Sequence, residues 1–206
     1  MREVTPTRST ALDLADELRL MRQGYEFLDE KRMLLATEML RQMRQHQAQS
    51  EVFEIEMRSA TAALAAAVER HGLDHLQAYP LPPKSSALPQ PKRSVFLAVP
   101  LLDVIWPPTP PAEVSQALDP SPEAEACRAA FQRLLQLATE IGARAANLQR
   151  LAREYRRTER RAKALENVLM PEVEETIKRV DEQLDTMDRE ETVRTRWWSR
   201  EPAAGP

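Results

Sequence analysis

Apolar residues recur at alternating spacings of three and four over most of this chain. From Pro122 to Trp198 they run Cys127, Phe131, Leu134, Ala138, Ile141, Ala145, Leu148, Ala152 and Tyr155, then Ala162, Leu165, Leu169, Val173, Thr176, Val180, Leu184 and Met187. That period belongs to a helix holding one narrow stripe against a partner helix. At ~1.5 Å per residue such a helix is about 115 Å long, more than a small domain can wrap, so it must pack on another rod. The first third of the chain supplies one. Its seam reads Ala11, Leu14, Leu18, Met21, Tyr25, Leu28, Arg32, Leu35 and Met39, turns polar at Gln42, His46 and Gln49, and resumes at Phe53, Met57, Ala60, Leu64 and Ala67.

End signals frame both helices. Thr7 or Ser9 can cap the first after Pro6, and Gly72 can take the left-handed conformation that ends a helix. Asp119 or Ser121 starts the second, with Pro122 at the favoured first position. Pro171 lies inside it, where it should remove a hydrogen bond and bend the helix. The polar block from Arg41 to Glu51 reads as a locally wet coiled coil or, more sharply, as a docking place for another protein of a complex.

Twelve of the 16 prolines lie between Pro80 and Pro122, so the middle of the chain cannot continue either helix. Within it Ser94–Val99 and Leu101–Trp106 are rich in β-formers and predict one or two short strands, or a hairpin turning near Pro100. The flanks, 81–91 and 107–122, read as extended or mobile connections. The expected organisation is a helix over 7–72, a Pro-rich foot over 73–121, a second helix over 122–199 and a disordered tail over 200–206. The fold class is all-α: a long antiparallel two-helix coiled coil whose Pro-rich mid-chain insertion carries one or two short β-strands. Pairing residue 71 with residue 125 near the turn keeps position sums near ~196, because both helices rise equally per residue. This places Glu166 opposite Glu30-Lys31-Arg32, predicts an ion pair there, sets Pro171 opposite Gly24-Tyr25, and leaves Glu190–Trp198 projecting as a single helix.

Composition narrows function mainly by exclusion. Four glycines in 206 residues leave no phosphate-binding glycine loop, and no catalytic or cofactor-binding constellation stands out. His46, His71 and His75 are too scattered for a metal site. Cys127 sits on the seam as a small core residue, and a lone cysteine fits a reducing compartment. A net charge of −3 calls for neither nucleic acid nor an anionic membrane, and the basic run from Arg150 to Lys163 is interleaved with Glu154 and Glu159. The start lacks the apolar core of a signal peptide, and the most apolar run, Val95–Trp106, is too short to span a bilayer. Direct membrane insertion is not expected.

Several stretches are similar to a known family. Pro6-Thr7-Arg8-Ser9, then Arg22-Gln23-Gly24-Tyr25-Glu26-Phe27-Leu28 and Lys31-Arg32, resemble the opening of the D subunit of V-type (vacuolar and archaeal-type) rotary ATPases. Thr158, Arg160, Arg161, Ala164, Leu165, Glu166, Asn167, Val168 and Pro171 match in register that family's Lys-Lys-Thr-Asn-Arg-Arg-Val-Asn-Ala-Leu-Glu-Asn-Val-Val-Ile-Pro pattern. Asp188-Arg189-Glu190-Glu191 with Arg194 resembles its closing segment, and Arg93-Ser94-Val95-Phe96 its mid-chain strand. The chain departs at Asp29-Glu30, at Glu159 and Lys163, and at Thr195-Arg196-Trp197-Trp198, where the family is more basic or reads differently.

The resemblance implies a non-catalytic central rotor shaft, working with the small F subunit inside a ring of A and B subunits and meeting a connector to the membrane ring. It would couple ATP hydrolysis or synthesis to H⁺ or Na⁺ transport from the cytoplasmic side, peripheral to the membrane. Arg156, Arg157, Arg160, Arg161 and Glu166 would then meet the ring or the F subunit, and Arg194, Arg196, Trp197 and Trp198 an apolar bearing. A stand-alone coiled-coil scaffold binding through the Pro-rich foot is the alternative from another class. The shaft of an F-type enzyme is a third, and 73–121 is too short for its α/β domain.

Overall fold

The computed structural model describes residues 4–77, 88–107 and 121–198. The elements are α1 (Arg8–Gln77), β1 (Gln90–Phe96), β2 (Val99–Ile105), α2 (Pro122–Ala164), a π-helical turn (Leu165–Leu169) and α3 (Met170–Trp198). The expected tail, 200–206, the Asp119 cap and most of the flanking connections lie outside the described residues. The chain forms two compact units, Met1–Met33 with Arg156–Pro206, and Leu34–Tyr155. In each, a stretch of α1 runs antiparallel to a stretch of the later helical segment.

In the first unit Thr7 caps α1, its hydroxyl oxygen accepting the Thr10 amide at 3.1 Å. The seam buries Leu14, Val173 and Val180, packed by Ala11, Leu18, Met21, Ile177 and Leu184, with Thr158 and Ala162 nearly inaccessible. Arg8 pairs with Asp188 at 3.1 Å and Arg22 with Glu174 at 2.9 Å. Both pairs sum to 196 in position, the register that equal rise predicts. They are exposed, so each adds at most about 1 kcal/mol, and they mark register more than they stabilise.

Before Pro171 the register departs from that rule, and in the second unit it does too: Gln45 with Arg144 and Gln49 with Glu140 sum to 189, and Arg70 with Glu123 to 193. The Met170 N–H bonds the Leu165 carbonyl, five residues back rather than four, and Leu165–Leu169 form a π-turn with no buried residue. Proline lacks an N–H and its ring crowds the carbonyl four residues earlier; widening the preceding turn relieves that contact. The residue facing Gly24 is Leu165, its Cδ1 3.9 Å from where a Gly24 Cβ would stand, not Pro171. Glu166 bonds Tyr25, about a turn and a half from the expected position opposite 30–32. Arg32 instead bonds Asp29.

In the second unit the mid-chain strands form an antiparallel hairpin. It turns at Leu97-Ala98, not near Pro100, with φ of 47° and 68°, the left-handed pair that a two-residue turn needs. Each costs an L-residue roughly 1–2 kcal/mol. Packing offsets it, because Leu97 lies against a core of Leu35, Val99, Leu101 and Leu151. Phe96–Val99 closes the turn as a hydrogen-bonded pair, so alternation makes Val95–Pro100 a non-bonded pair. Pro100 therefore sits within β2 without sacrificing a ladder bond.

The seam of α2 is also rotated from expectation. Within the second unit Ala124, Ala130, Asn147 and Leu151 are the buried positions of α2, while Phe131 is 41% exposed; Leu148, Ala152 and Tyr155 are only partly covered. The helix faces two partners here, α1 and the hairpin, and the residues between them are buried deepest. Met57, Leu64 and, in the first unit, Met187 are exposed despite their seam positions. The polar block of α1 meets polar partners. Arg144 donates to Gln45 and Gln49, and Gln49 donates to Glu140.

At the far end of this unit Ser121 caps α2, accepting the Ala124 amide at 3.2 Å, and hydrogen-bonds His71. Arg70 pairs with Glu123 at 3.2 Å. Gly72 interrupts α1 with φ 72° and ψ 161°, but helical structure resumes and runs to Gln77. That backbone region is open essentially to glycine alone, so Gly72 makes a kink rather than an end.

Candidate interaction surfaces

The basic segment of α2 is built on the side of the helix away from its seam. Thr158 and Ala162, each 1% exposed, point inward, while Arg156, Arg157, Arg160 and Arg161 are all exposed. At ~100° per residue these four fall within an arc of about 140°. Arg160 donates only to the Arg156 carbonyl, at 3.3 Å, so its remaining guanidinium donors are free to meet an outside acceptor. Glu159 is tied to Lys163 at 2.9 Å, and that hydrogen bond, with the ammonium charge, holds its carboxyl below the usual range.

The π-turn follows directly. Glu166, Asn167, Val168 and Leu169 are all exposed, although Leu169 fits the seam period. Glu166 raises the Tyr25 pKa, first by its negative charge, with burial, Asp29 and the hydrogen bond adding to it. This tie orients the carboxylate beside α1 and leaves it further lone pairs to offer.

The end of α3 is a different surface. Every residue from 185 to 198 is exposed. Trp197 and Trp198 are 75% and 78% accessible, and they group with Val193, Arg189 and Arg194 on one side. Arg196 lines the other with Asp188 and Glu191. Two adjacent exposed indoles stand beside Arg189 and Arg194, with Glu190 among them, so the tip is apolar with a rim of both charges.

The basic run and the π-turn adjoin along the chain, and the tip stands apart at the end of α3. Among the described residues no group of three potential metal ligands occurs and no helix is long and apolar enough to cross a membrane. Cys127 is half-buried and burial pushes its thiol pKa up, which disfavours the nucleophilic thiolate.

Sequence reasoning missed the residues that hold the hairpin to α2. Asn147, 1% exposed, accepts the Leu102 amide at 2.8 Å and donates to the Leu102 carbonyl at 2.9 Å, as a neighbouring strand would. Leu102 pairs with Arg93 at a non-bonded position, so both its groups face away from β1. Trp106 donates to Thr139 at 3.1 Å. The available signal was an asparagine flanked by Ala146 and Leu148 in an otherwise apolar seam.

Comparison with known proteins adds a consistent result. The family model for the ATP synthase D subunit matches residues 10–200. The V-type ATP synthase D subunit of Thermotoga neapolitana is 27% identical over 201 residues, covering 93% of this chain and 94% of that protein. The A-type ATP synthase D subunit of Thermococcus sibiricus is 29% identical, covering 93% and 91%. The V-type ATP synthase D subunit 2 of Treponema pallidum is 30% identical, covering 92% and 90%.

Proposed function

The chain belongs to the ATP synthase D-subunit family, and on that premise we propose that it is the central rotor shaft of a V-type ion-translocating ATPase or ATP synthase. Its partners would be the ring of A and B subunits, the F subunit in the stalk, and a connector to the membrane ring. It would couple ATP hydrolysis or synthesis to H⁺ or Na⁺ transport by rotating, on the cytoplasmic side and peripheral to the membrane. The shaft itself would hold no catalytic residue and no cofactor. The observation that carries this reading is the family match over residues 10–200, which takes in both long helices and the hairpin between them.

Physical reasoning supports the same role. In the first unit the paired helices resist twisting, since turning one about the other exposes Leu14, Val173 and Val180. Their surface is unequal around the axis, with arginines at 156, 157, 160 and 161 opposite the seam. A turning shaft of this kind presents a different face to each surrounding site. A site that contacts one face more favourably in one of its states is shifted towards that state by the difference in contact energy. Arg156, Arg157, Arg160 and Arg161 would act in this way on the ring or on the F subunit. Arg194, Arg196, Trp197 and Trp198 would seat the tip in an apolar bearing.

The test is a pull-down of tagged chain from its native extract with mass spectrometry of what accompanies it. Recovery of nucleotide-binding A and B subunits with a small F-like protein supports the shaft, and coupled ATPase assays on R160A/R161A and W198A then probe the contacts. Recovery of unrelated proteins without ATPase components rejects it in favour of a scaffold.

A further inference from the structure

We infer that the π-turn at Leu165–Leu169 is a docking point for an arginine side chain of the surrounding ATPase ring; this deepens, and rests on, the rotor reading. The turn interrupts an otherwise dry seam. On one side Thr158 and Ala162 are each 1% exposed, and on the other Val173 is 8% exposed, yet the seam position Leu169 is 40% exposed, with Val168 beside it. The interruption also frees a backbone acceptor. The Glu166 carbonyl has two possible helical donors, four and five residues on. The first, the Met170 N–H, is turned to Leu165, and the second would come from Pro171, which has none.

The exposed patch thus combines a main-chain carbonyl, the Glu166 carboxylate held in place by Tyr25, the Asn167 amide and the apolar shoulder of Val168 and Leu169. Three of these offer acceptor oxygens, and the carboxylate is charged. The complementary group carries several donors in a fixed plane, a positive charge and an aliphatic stem, which is arginine. Lysine supplies the charge without the fork, and an apolar partner leaves the acceptors unpaired.

The experiment uses the assembled complex. p-Benzoylphenylalanine placed at Val168 is irradiated in the complex recovered with tagged chain, and the linked peptide is sequenced. The arginine nearest the linked residue is then changed to methionine, alone and with Glu166→Gln in the shaft, and binding of the chain to the ring is measured for all four combinations. Thermal unfolding of the Glu166→Gln chain, whose change is on the surface, checks that it folds. Each single change is expected to weaken binding about tenfold, the worth of one charge-assisted hydrogen bond, and the double change hardly further. A cross-link to a surface without an arginine, or two effects that simply add, overturns the inference and leaves the rotor reading intact. A complex without A and B subunits overturns both.

Discussion

Replacing Asn147 with alanine should loosen the hairpin from α2 before it disturbs the helices. The wild-type side chain makes both bonds that Leu102 presents outward, at 2.8 and 2.9 Å, and also accepts from Arg150 at 3.0 Å. Alanine leaves a half-buried donor and acceptor unpaired, each costing about 1–1.5 kcal/mol once partial solvent access is allowed for, so the loss is about 2–3 kcal/mol. Urea unfolding gives the total, and amide hydrogen exchange gives the local effect. The Leu102 amide should exchange roughly 30-fold faster or more, since ~1.4 kcal/mol is a factor of ten. In a background of Trp197→Phe and Trp198→Phe, Trp106 alone fluoresces, and its emission should shift to the red as its bond to Thr139 loosens. Asn147→Leu fills the space without restoring the bonds and should be nearly as unstable as N147A. If N147A costs under about 0.5 kcal/mol with the Leu102 exchange rate unchanged, or if leucine matches wild type, the hydrogen-bond account is refuted.

Two further predictions follow from the packing. Gly24 lies inside α1, and an added Cβ would meet Leu165 at an ordinary 3.9 Å; Gly24→Ala should therefore stabilise the chain by about 0.5–1 kcal/mol, and a lowered thermal midpoint would show that the contact with the π-turn is tighter than this. Glu38 accepts two hydrogen bonds from Arg41, at 2.7 and 2.6 Å, and these, aided by Gln42 against the opposing effect of burial, hold its carboxyl below the usual range. A carboxylate depressed on folding adds stability above its unfolded pKa and loses it as pH falls through the folded value. Titrating unfolding free energy downward from pH 6 should show a decline below the ordinary carboxylate range that is shallower in Glu38→Gln; identical slopes would contradict it.

How far this molecule was legible in its sequence depends on the distance over which each feature is decided. The helices follow from a local period, and their starts from local chemistry: Thr7 and Ser121 each bond an amide three residues on. Arg8 with Asp188 and Arg22 with Glu174 meet the equal-rise sum of 196, but Gln45 with Arg144 and Gln49 with Glu140 sum to 189, so equal rise does not hold along the whole chain. Around Leu165–Leu169 a π-turn changes the residues per turn, and no pattern in the apolar positions reports it. The arginines at 156, 157, 160 and 161 and the tip with Trp197 and Trp198 were legible as residue types, since arginines and tryptophans need no tertiary partner to be seen.

What only the tertiary structure decided lies where two elements compete for one face. The sequence by itself determined two long amphipathic helices, their antiparallel pairing and a β-rich insertion, because a 3.5-residue period and a proline-dense break act on neighbouring residues. It did not determine the hairpin's turn. Leu97 and Ala98 are poor left-handed residues, and Leu97 packs on a core that includes Leu35 and Leu151, far away in the chain. Nor did it determine that Asn147 and Leu151, rather than Leu148 and Ala152, form the deepest part of α2. That rotation arises because the helix must satisfy both α1 and the backbone groups of Leu102, and an asparagine reads as a seam defect until the strand it completes is in place.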